Sequence, residues 1–184
     1  MSKNMNDLYI FKIPYGSITY GTYNERSDID ILRIVENNSN PDFHIYTRDE
    51  YQKALDDHEV VPIETYFFAQ KHFGNFDFEF KLNKWKLRQV FSATASNSWV
   101  KCKKKLADGE FYIGKKSLFH SLRILMFANA LANHGMIYLN MPVLYQLHRE
   151  IMCLDNNWEI LCDRYKDSYN SLSSLLRQAC PKEK

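Results

Sequence analysis

The stretch Gly16–Val35, GSITYGTYNERSDIDILRIV, constrains this chain more than any other. A run rich in β-branched and aromatic residues, Leu8–Ile13, precedes it and reads as a strand that Pro14 ends. Gly16-Ser17 follows, and Gly21 sits in the same loop, Gly16–Asn24. Ser27-Asp28-Ile29-Asp30 then opens a second strand over Asp28–Val35, with Ile29, Ile31, Leu32, Ile34 and Val35 as its apolar residues. Side chains alternate along a strand, so Asp28 and Asp30 are expected on one face. Two carboxylates aimed at one point make a hard-oxygen site suited to Mg2+. A Gly-Ser turn after a strand lets backbone N–H groups approach a phosphate, and the hydroxyl adds a donor. Neither feature is specific by itself, since most D-x-D pairs are solvated strand or turn residues. Their order, strand then Gly-Ser then strand with D-x-D, points to phosphoryl transfer. In that chemistry the protein supplies position and charge, and paired metal ions stabilise the attacking and leaving oxygens.

Further along, Glu36–Pro41 is a loop, Phe43–Tyr46 a candidate short strand, and Arg48–Leu55 a short helix with Thr47 as its N-cap. Val60–Thr65 (VVPIET) reads as a third strand, placed at an edge by Pro62. Tyr66–Phe73 then turns helical, and Phe76–Asn83 fits a short strand or a turn. From Lys84 the pattern is helical, with breaks near Asp108–Gly109 and at Gly114. Lys115–His134 is the clearest helix, stopped by Gly135, and Pro142–Leu154 and Asn157–Arg177 are two more. The expected class is α+β, a small mixed sheet followed by a helical layer. The expected division is a core at 1–83 and a helical region at 84–184 packed on it.

At 184 residues with 45% hydrophobic and 25% charged residues, the chain is long enough to bury a core. Most of its 12 Tyr, 12 Phe and 3 Trp are expected to pack that core. A net charge of +2 excludes a whole-molecule polyanion binder. Cys102, Cys153, Cys162 and Cys180 form no C-x-x-C pair, and the N-terminal Met1–Asp7 is polar, without a secretion pattern. These features point to reduced thiols in a cytoplasm, with neither a zinc site nor a disulfide framework. No apolar run reaches the roughly 18 residues of a membrane span.

Gly16-Ser17 and Asp28-Ile29-Asp30 resemble the signature of the DNA polymerase β-like nucleotidyltransferase superfamily, a Gly-Ser followed further on by D-x-D. Tyr20-Gly21 and Ser27-Asp28 make the loop look most like the nucleotidyltransferases associated with RNA repair. Lys115-Lys116, His120 and Arg123 resemble basic positions in a later helix of that branch, and Glu64 its acid ahead of a Lys-Phe helix. The resemblance implies a mixed sheet, a nucleoside triphosphate donor and two Mg2+ ions, with Mn2+ as an alternative.

The superfamily usually needs a third carboxylate on a neighbouring strand. Glu59, Glu64, Asp77 and Glu79 are the candidates. Glu64 is favoured because it interrupts the apolar run of the expected third strand, although the family more often has Asp there. The expected catalytic and metal-binding set is therefore Asp28, Asp30 and Glu64. Gly16, Ser17, Ser27, Lys116, His120 and Arg123 are the expected nucleotide-binding residues. Lys116, His120, Arg123 and Phe127 lie three or four apart, on one helix face. Between Lys81 and Lys105, basic residues alternate with Trp85, Phe91 and Trp99, and Lys101, Lys103, Lys104 and Lys105 are candidate nucleic-acid contacts. The alternative is a solvated helix face with core aromatics. His44, His58, His72, His134 and His148 form no metal-ligand spacing and read as structural. The expected reaction moves a nucleoside monophosphate to a hydroxyl of an RNA end, a protein or a small molecule. The alternatives are an antitoxin-like enzyme that modifies a protein partner and an inert nucleotide- or RNA-binding module.

Overall fold

The computed structural model describes residues 9–36 and 44–182. The expected loose N-terminus, Leu8, residues 37–41 of the expected loop, and Phe43 lie outside the described residues. The chain divides into two compact units, Met1–Lys81 and Leu82–Lys184.

In the first unit, β1 (Tyr9–Tyr15) leads through the short helix α1 (Ser17–Tyr20) to β2 (Asp30–Val35), and β3 (Ile45–Thr47) follows. The sheet order is β1-β2-β3, with β1 antiparallel and β3 parallel to β2. Phe11 and Ile13 of β1 and Leu32 and Ile34 of β2 are buried, while Lys12 between the first pair is exposed. One face of the sheet thus carries the core. Helix α2 (Arg48–Asp56) begins with a capping box: Thr47 Oγ1 accepts from Glu50 N at 3.3 Å, and Thr47 N donates to Glu50 Oε2 at 2.7 Å.

The expected third strand is instead the start of α3 (Val60–His72). Val, Ile and Thr suggested a strand, and Pro62 an edge. Pro62 actually occupies the first helical turn, where its missing N–H costs no intrahelical bond. Thr65 Oγ1 returns a hydrogen bond to Val61 O at 3.0 Å, and Pro62, Ile63, Glu64, Thr65 and Ala69 are buried. Tertiary burial decides the conformation here over β-branched propensity. The chain then runs extended through Phe76–Phe80 without joining a ladder. Phe76 and Phe78 are buried on Phe11 and Tyr51, while Asp77 and Glu79 face solvent. The Gln52 amide bonds both Glu79 O (2.7 Å) and Glu79 N (3.2 Å), as a strand partner would.

The second unit is helical: α4 (Lys84–Ala107), α5 (Phe111–His134), α6 (Pro142–Cys153) and α7 (Trp158–Ala179). Asn83 and Asn157 cap α4 and α7 through their side chains, and Gly135 ends α5 at φ 70°. Asp108 and Gly109 end α4 as expected, but Gly114 lies inside α5, where it lets α4 approach closely. A Cβ on Gly114 would stand 2.9 Å from Leu106 Cγ and 3.2 Å from Cys102 O. With Ser121 Oγ donating to Ala95 O at 2.8 Å, this fixes an antiparallel α4–α5 register. The protein is α+β, as the sequence indicates. Among the described residues no helix is long and apolar enough to cross a membrane.

Gly114→Ala weighs two effects. Alanine gains about 1 kcal/mol of helix propensity. Overpacking against a branched carbon and a backbone oxygen costs about 1–3 kcal/mol. The expected outcome is net destabilisation by about 1 kcal/mol, read as a lower thermal midpoint with native far-UV circular dichroism.

Candidate active site

Strand register builds the site in the first unit. Tyr15, the last residue of β1, pairs with Asp30, the first of β2. The residue after Tyr15 is therefore delivered to the Asp30 carboxylate. Gly16 has φ 74° and ψ −148°, a conformation essentially reserved for glycine. A Cβ there would stand 2.7 Å from Asp30 Oδ2. Gly16 is thus required both for its backbone and for the space the carboxylate occupies.

Ser17 starts α1 and is 8% exposed. Its Oγ is buried and has no hydrogen-bond partner among the described residues. A hydroxyl left this way costs about 1–3 kcal/mol, which a ligand oxygen at this position would offset. The turn itself is well bonded: Thr19 N and Oγ1 both donate to Gly16 O, at 3.0 and 2.9 Å, and Thr22 N donates to Ser17 O at 3.0 Å. Gly21 closes α1 at φ 73°.

Glu64 lies on helix α3 rather than on a strand beside β2. It is 2% exposed and accepts a hydrogen bond from the hydroxyl of Tyr20, itself 2% exposed at the end of α1. Glu64 therefore ties α3 to the loop that carries Gly16 and Ser17. The other candidate acids have different partners. Glu59 bonds Tyr46, whose hydroxyl is pushed up to about 12 by burial and then by Glu59. Asp77 pairs with Arg48 at 2.6 Å, which lowers its carboxyl below the usual range, and Glu79 lies 3.3 Å from Lys81. Among the described residues no three His, Cys, Asp or Glu side chains gather in a group able to hold a metal ion.

Asp28 is exposed and precedes β2 by two residues. Asp30 is half-exposed at the strand's head. The Ser27 hydroxyl belongs to a tight turn, accepting from Asn24 N at 3.1 Å and lying 3.4 Å from Asn24 Oδ1. Two residues missed by the sequence reading flank Asp30. Burial, then the negative charge of Asp30, raises the Tyr15 hydroxyl, with Tyr46 and Glu64 adding to it. The His44 ring lies 5.0 Å from that of Tyr15, and burial lowers its pKa while Asp30 opposes the shift. Tyr15 is placed there by its pairing with Asp30, a register across strands. His44 has φ 67° and carried no local signal.

In the helical unit, α5 brings Lys116, His120 and Arg123 onto one face, as their spacing indicates. Arg123 is 2% exposed, donates from Nη2 to His120 Nδ1 at 2.9 Å, and lies 5.0 Å over the Phe127 ring. Accepting at Nδ1 leaves His120 neutral with its proton on Nε2. Burial lowers the His120 pKa far below the ordinary value, and Arg123, Lys116, Lys101 and His148 lower it further. Lys115 has a structural role: it is buried, and its Nζ donates to Met152 O at 3.2 Å and to Leu154 O at the end of α6.

Of the four candidate lysines near the end of α4, Lys105 is held by Glu110 at 2.6 Å, while Lys101, Lys103 and Lys104 are exposed. Two of the three aromatics named with them pack: Phe91 is buried, and Trp99 lies 5.5 Å from Trp158 and 4.6 Å from Tyr169, while Trp85 lies under the Arg88 guanidinium.

Folding depresses the pKa of both His120 and His148, chiefly by burial. The stability this carries is full above the unfolded value of about 6.5 and is lost as pH falls toward the folded values. The thermal midpoint should therefore fall on acidification below about pH 6.5, and His148→Gln should flatten that dependence.

No curated protein matches this chain, and no solved structure does. Residues 10–91, from the second residue of β1 into the first turns of α4 and just under half of the chain, match the family model of the nucleotidyltransferase domain.

Proposed function

We propose that this protein transfers a nucleoside monophosphate from a nucleoside triphosphate to a hydroxyl, with release of pyrophosphate. The observation that carries the reading is the space kept open at Gly16, where an added Cβ would stand 2.7 Å from Asp30 Oδ2, next in sequence to the buried, unpartnered hydroxyl of Ser17. A hydroxyl with a hydrogen bond left to give thus follows by one residue a backbone held close to an acid suited to a cation, and a metal-bound triphosphate calls for both. Gly16 and Ser17 receive the donor phosphates. Asp28 and Asp30 hold Mg2+, in one or two ions, with Mn2+ as the alternative. The cation, when bound, neutralises phosphate charge. Glu64 serves as the residue that holds Tyr20, and through it the loop, in place. Lys116, His120 and Arg123 form a basic face for a phosphate-bearing partner. An RNA end is the favoured acceptor, with exposed Lys101, Lys103 and Lys104 as its contacts and Lys105 engaged by Glu110.

One observation favours a second reading, a nucleotide-binding module without turnover: among the described residues no three His, Cys, Asp or Glu side chains form a group able to hold a metal ion. Incubating the protein with each labelled nucleoside triphosphate, Mg2+ and RNA separates the two. Transfer predicts labelled RNA with stoichiometric pyrophosphate, lost in folded Asp28→Asn and Asp30→Asn. Bound nucleotide that never yields pyrophosphate supports the inert module.

Ser17→Ala should raise KM for the nucleoside triphosphate about tenfold, the worth of one charge-assisted hydrogen bond. An unchanged KM makes Ser17 a turn residue. Glu64→Gln keeps an acceptor for Tyr20, so it should retain the Mg2+ dependence of the wild type. A loss equal to that of Asp30→Asn would instead make Glu64 a metal ligand.

A further inference from the structure

In the first unit, the large hydrophobic side chains most open to solvent among the described residues are not scattered. Ile18 is 43% exposed, Tyr23 50% and Ile29 61%, and all three fall between Ser17 and Asp30. Exposed apolar residues are ordinary when they occur singly, whereas a group of them at one place marks a binding surface. Of the three, Tyr23 joins the two halves of the candidate active site. Before it, Thr22 N donates to Ser17 O at 3.0 Å, so the residue ahead of Tyr23 is tied to the turn that carries the unpartnered Ser17 hydroxyl. After it, Ser27 N donates to Asn24 O at 2.9 Å, and Asn24 N donates to Ser27 Oγ at 3.1 Å. These bonds close a turn over Asn24–Ser27, and the ends of such a turn lie within about 7 Å of each other. Tyr23 and Asp28 flank that turn, so the chain passes Tyr23 on entering it and the first acid of the D-x-D segment on leaving it. The backbone is thus bonded on both sides of Tyr23, while the ring itself is half open to solvent.

We infer that Tyr23 is the base-stacking residue of the donor site: its ring receives one face of the nucleobase of the bound nucleoside triphosphate, with Ile18 and Ile29 as apolar flanks. The inference rests on the triphosphate-donor reading given above and adds to it the residue that meets the nucleoside end. A nucleoside triphosphate has two chemically distinct ends. Its phosphates and their cation call for the Ser17 hydroxyl and the carboxylates, whereas its base presents a flat, weakly polar face. An aromatic ring meets that face by stacking, an interaction open to every base. The ring exposed in the free protein leaves water when the base covers it, which favours binding. Because the backbone on either side of Tyr23 is already bonded, little order remains to be lost when the ligand arrives. Stacking uses the ring and not the phenolic hydroxyl, so phenylalanine at this position should serve as well as tyrosine.

The test measures binding to the full chain by titration calorimetry in Mg2+, so its readout does not need turnover. The probes are a non-hydrolysable ATP analogue and inorganic tripolyphosphate, which keeps the charge and the cation but has no base. The wild type should bind the analogue more tightly than tripolyphosphate. Tyr23→Ala should weaken binding of the analogue about tenfold, the worth of one stacked base, and leave tripolyphosphate unchanged. Tyr23→Phe should match the wild type with both probes. Tyr23 is half-exposed, so both variants should keep the wild-type thermal midpoint. An equal loss for the two probes in Tyr23→Ala makes Tyr23 a structural part of the loop and overturns the inference while the phosphate site stands. Unchanged affinity of Tyr23→Ala for the analogue overturns it too, as does a loss in Tyr23→Phe as large as that in Tyr23→Ala. A wild type that binds neither probe overturns the donor-site reading itself, and the inference with it.

Discussion

The close approach of the Gly16 backbone to the Asp30 carboxylate is the constraint on which the candidate active site depends. It follows from the antiparallel pairing of Tyr15 with Asp30, which brings the end of one strand and the head of the next to the same level. Any side chain at position 16 would meet Asp30 Oδ2 at 2.7 Å and would also have to adopt φ 74°. The turn that follows holds Ser17 where its hydroxyl is buried without a protein partner. The first unit thus retains two locally unfavourable features within a few residues, a backbone open only to glycine and an unsatisfied hydroxyl. Such features persist when the surrounding structure enforces them, and they concentrate at ligand sites.

The Tyr20–Glu64 hydrogen bond ties the end of this turn to α3. Both side chains are almost wholly buried, one at the end of α1 and the other inside α3. A buried carboxylate is costly unless it is bonded, and removing its partner costs about 1–3 kcal/mol. The bond therefore acts as a latch on the loop. It also gives the acid that interrupts an otherwise apolar run a buried partner.

The layout of the motif was legible because it is carried by local order: a strand, a glycine at a turn, then Asp30 at the head of the next strand with Asp28 two residues before it. Capping residues were legible for the same reason, and Thr47, Asp108–Gly109 and Gly135 stand where their side chains or their backbone freedom place them. The reading of VVPIET failed because period and propensity do not separate a short buried strand from the first turns of a buried helix. Pro62 fits an edge strand and a helical first turn equally well. Tyr15 opposite Asp30, His44 against Tyr15 and His148 against Phe119 are contacts between elements. Each depends on register across strands or helices, which no single segment encodes. Of the aromatic residues among the α4 lysines, Phe91 is buried and Trp99 packs on Trp158 and Tyr169, the arrangement that the core-aromatic alternative expects.

The central claim, that the Gly16-Ser17 turn and the Asp28-Ile29-Asp30 segment form one metal–nucleotide site, can be tested without knowing the acceptor. Backbone amide resonances of the full chain would be recorded with a non-hydrolysable nucleoside triphosphate analogue and substoichiometric Mn2+, whose paramagnetism broadens nearby nuclei. The account predicts broadening centred on residues 16–18 and 28–30 together, dependent on the analogue and displaced by excess Mg2+. Broadening at Asp28 and Asp30 that spares Gly16 and Ser17, or broadening centred elsewhere, would contradict it.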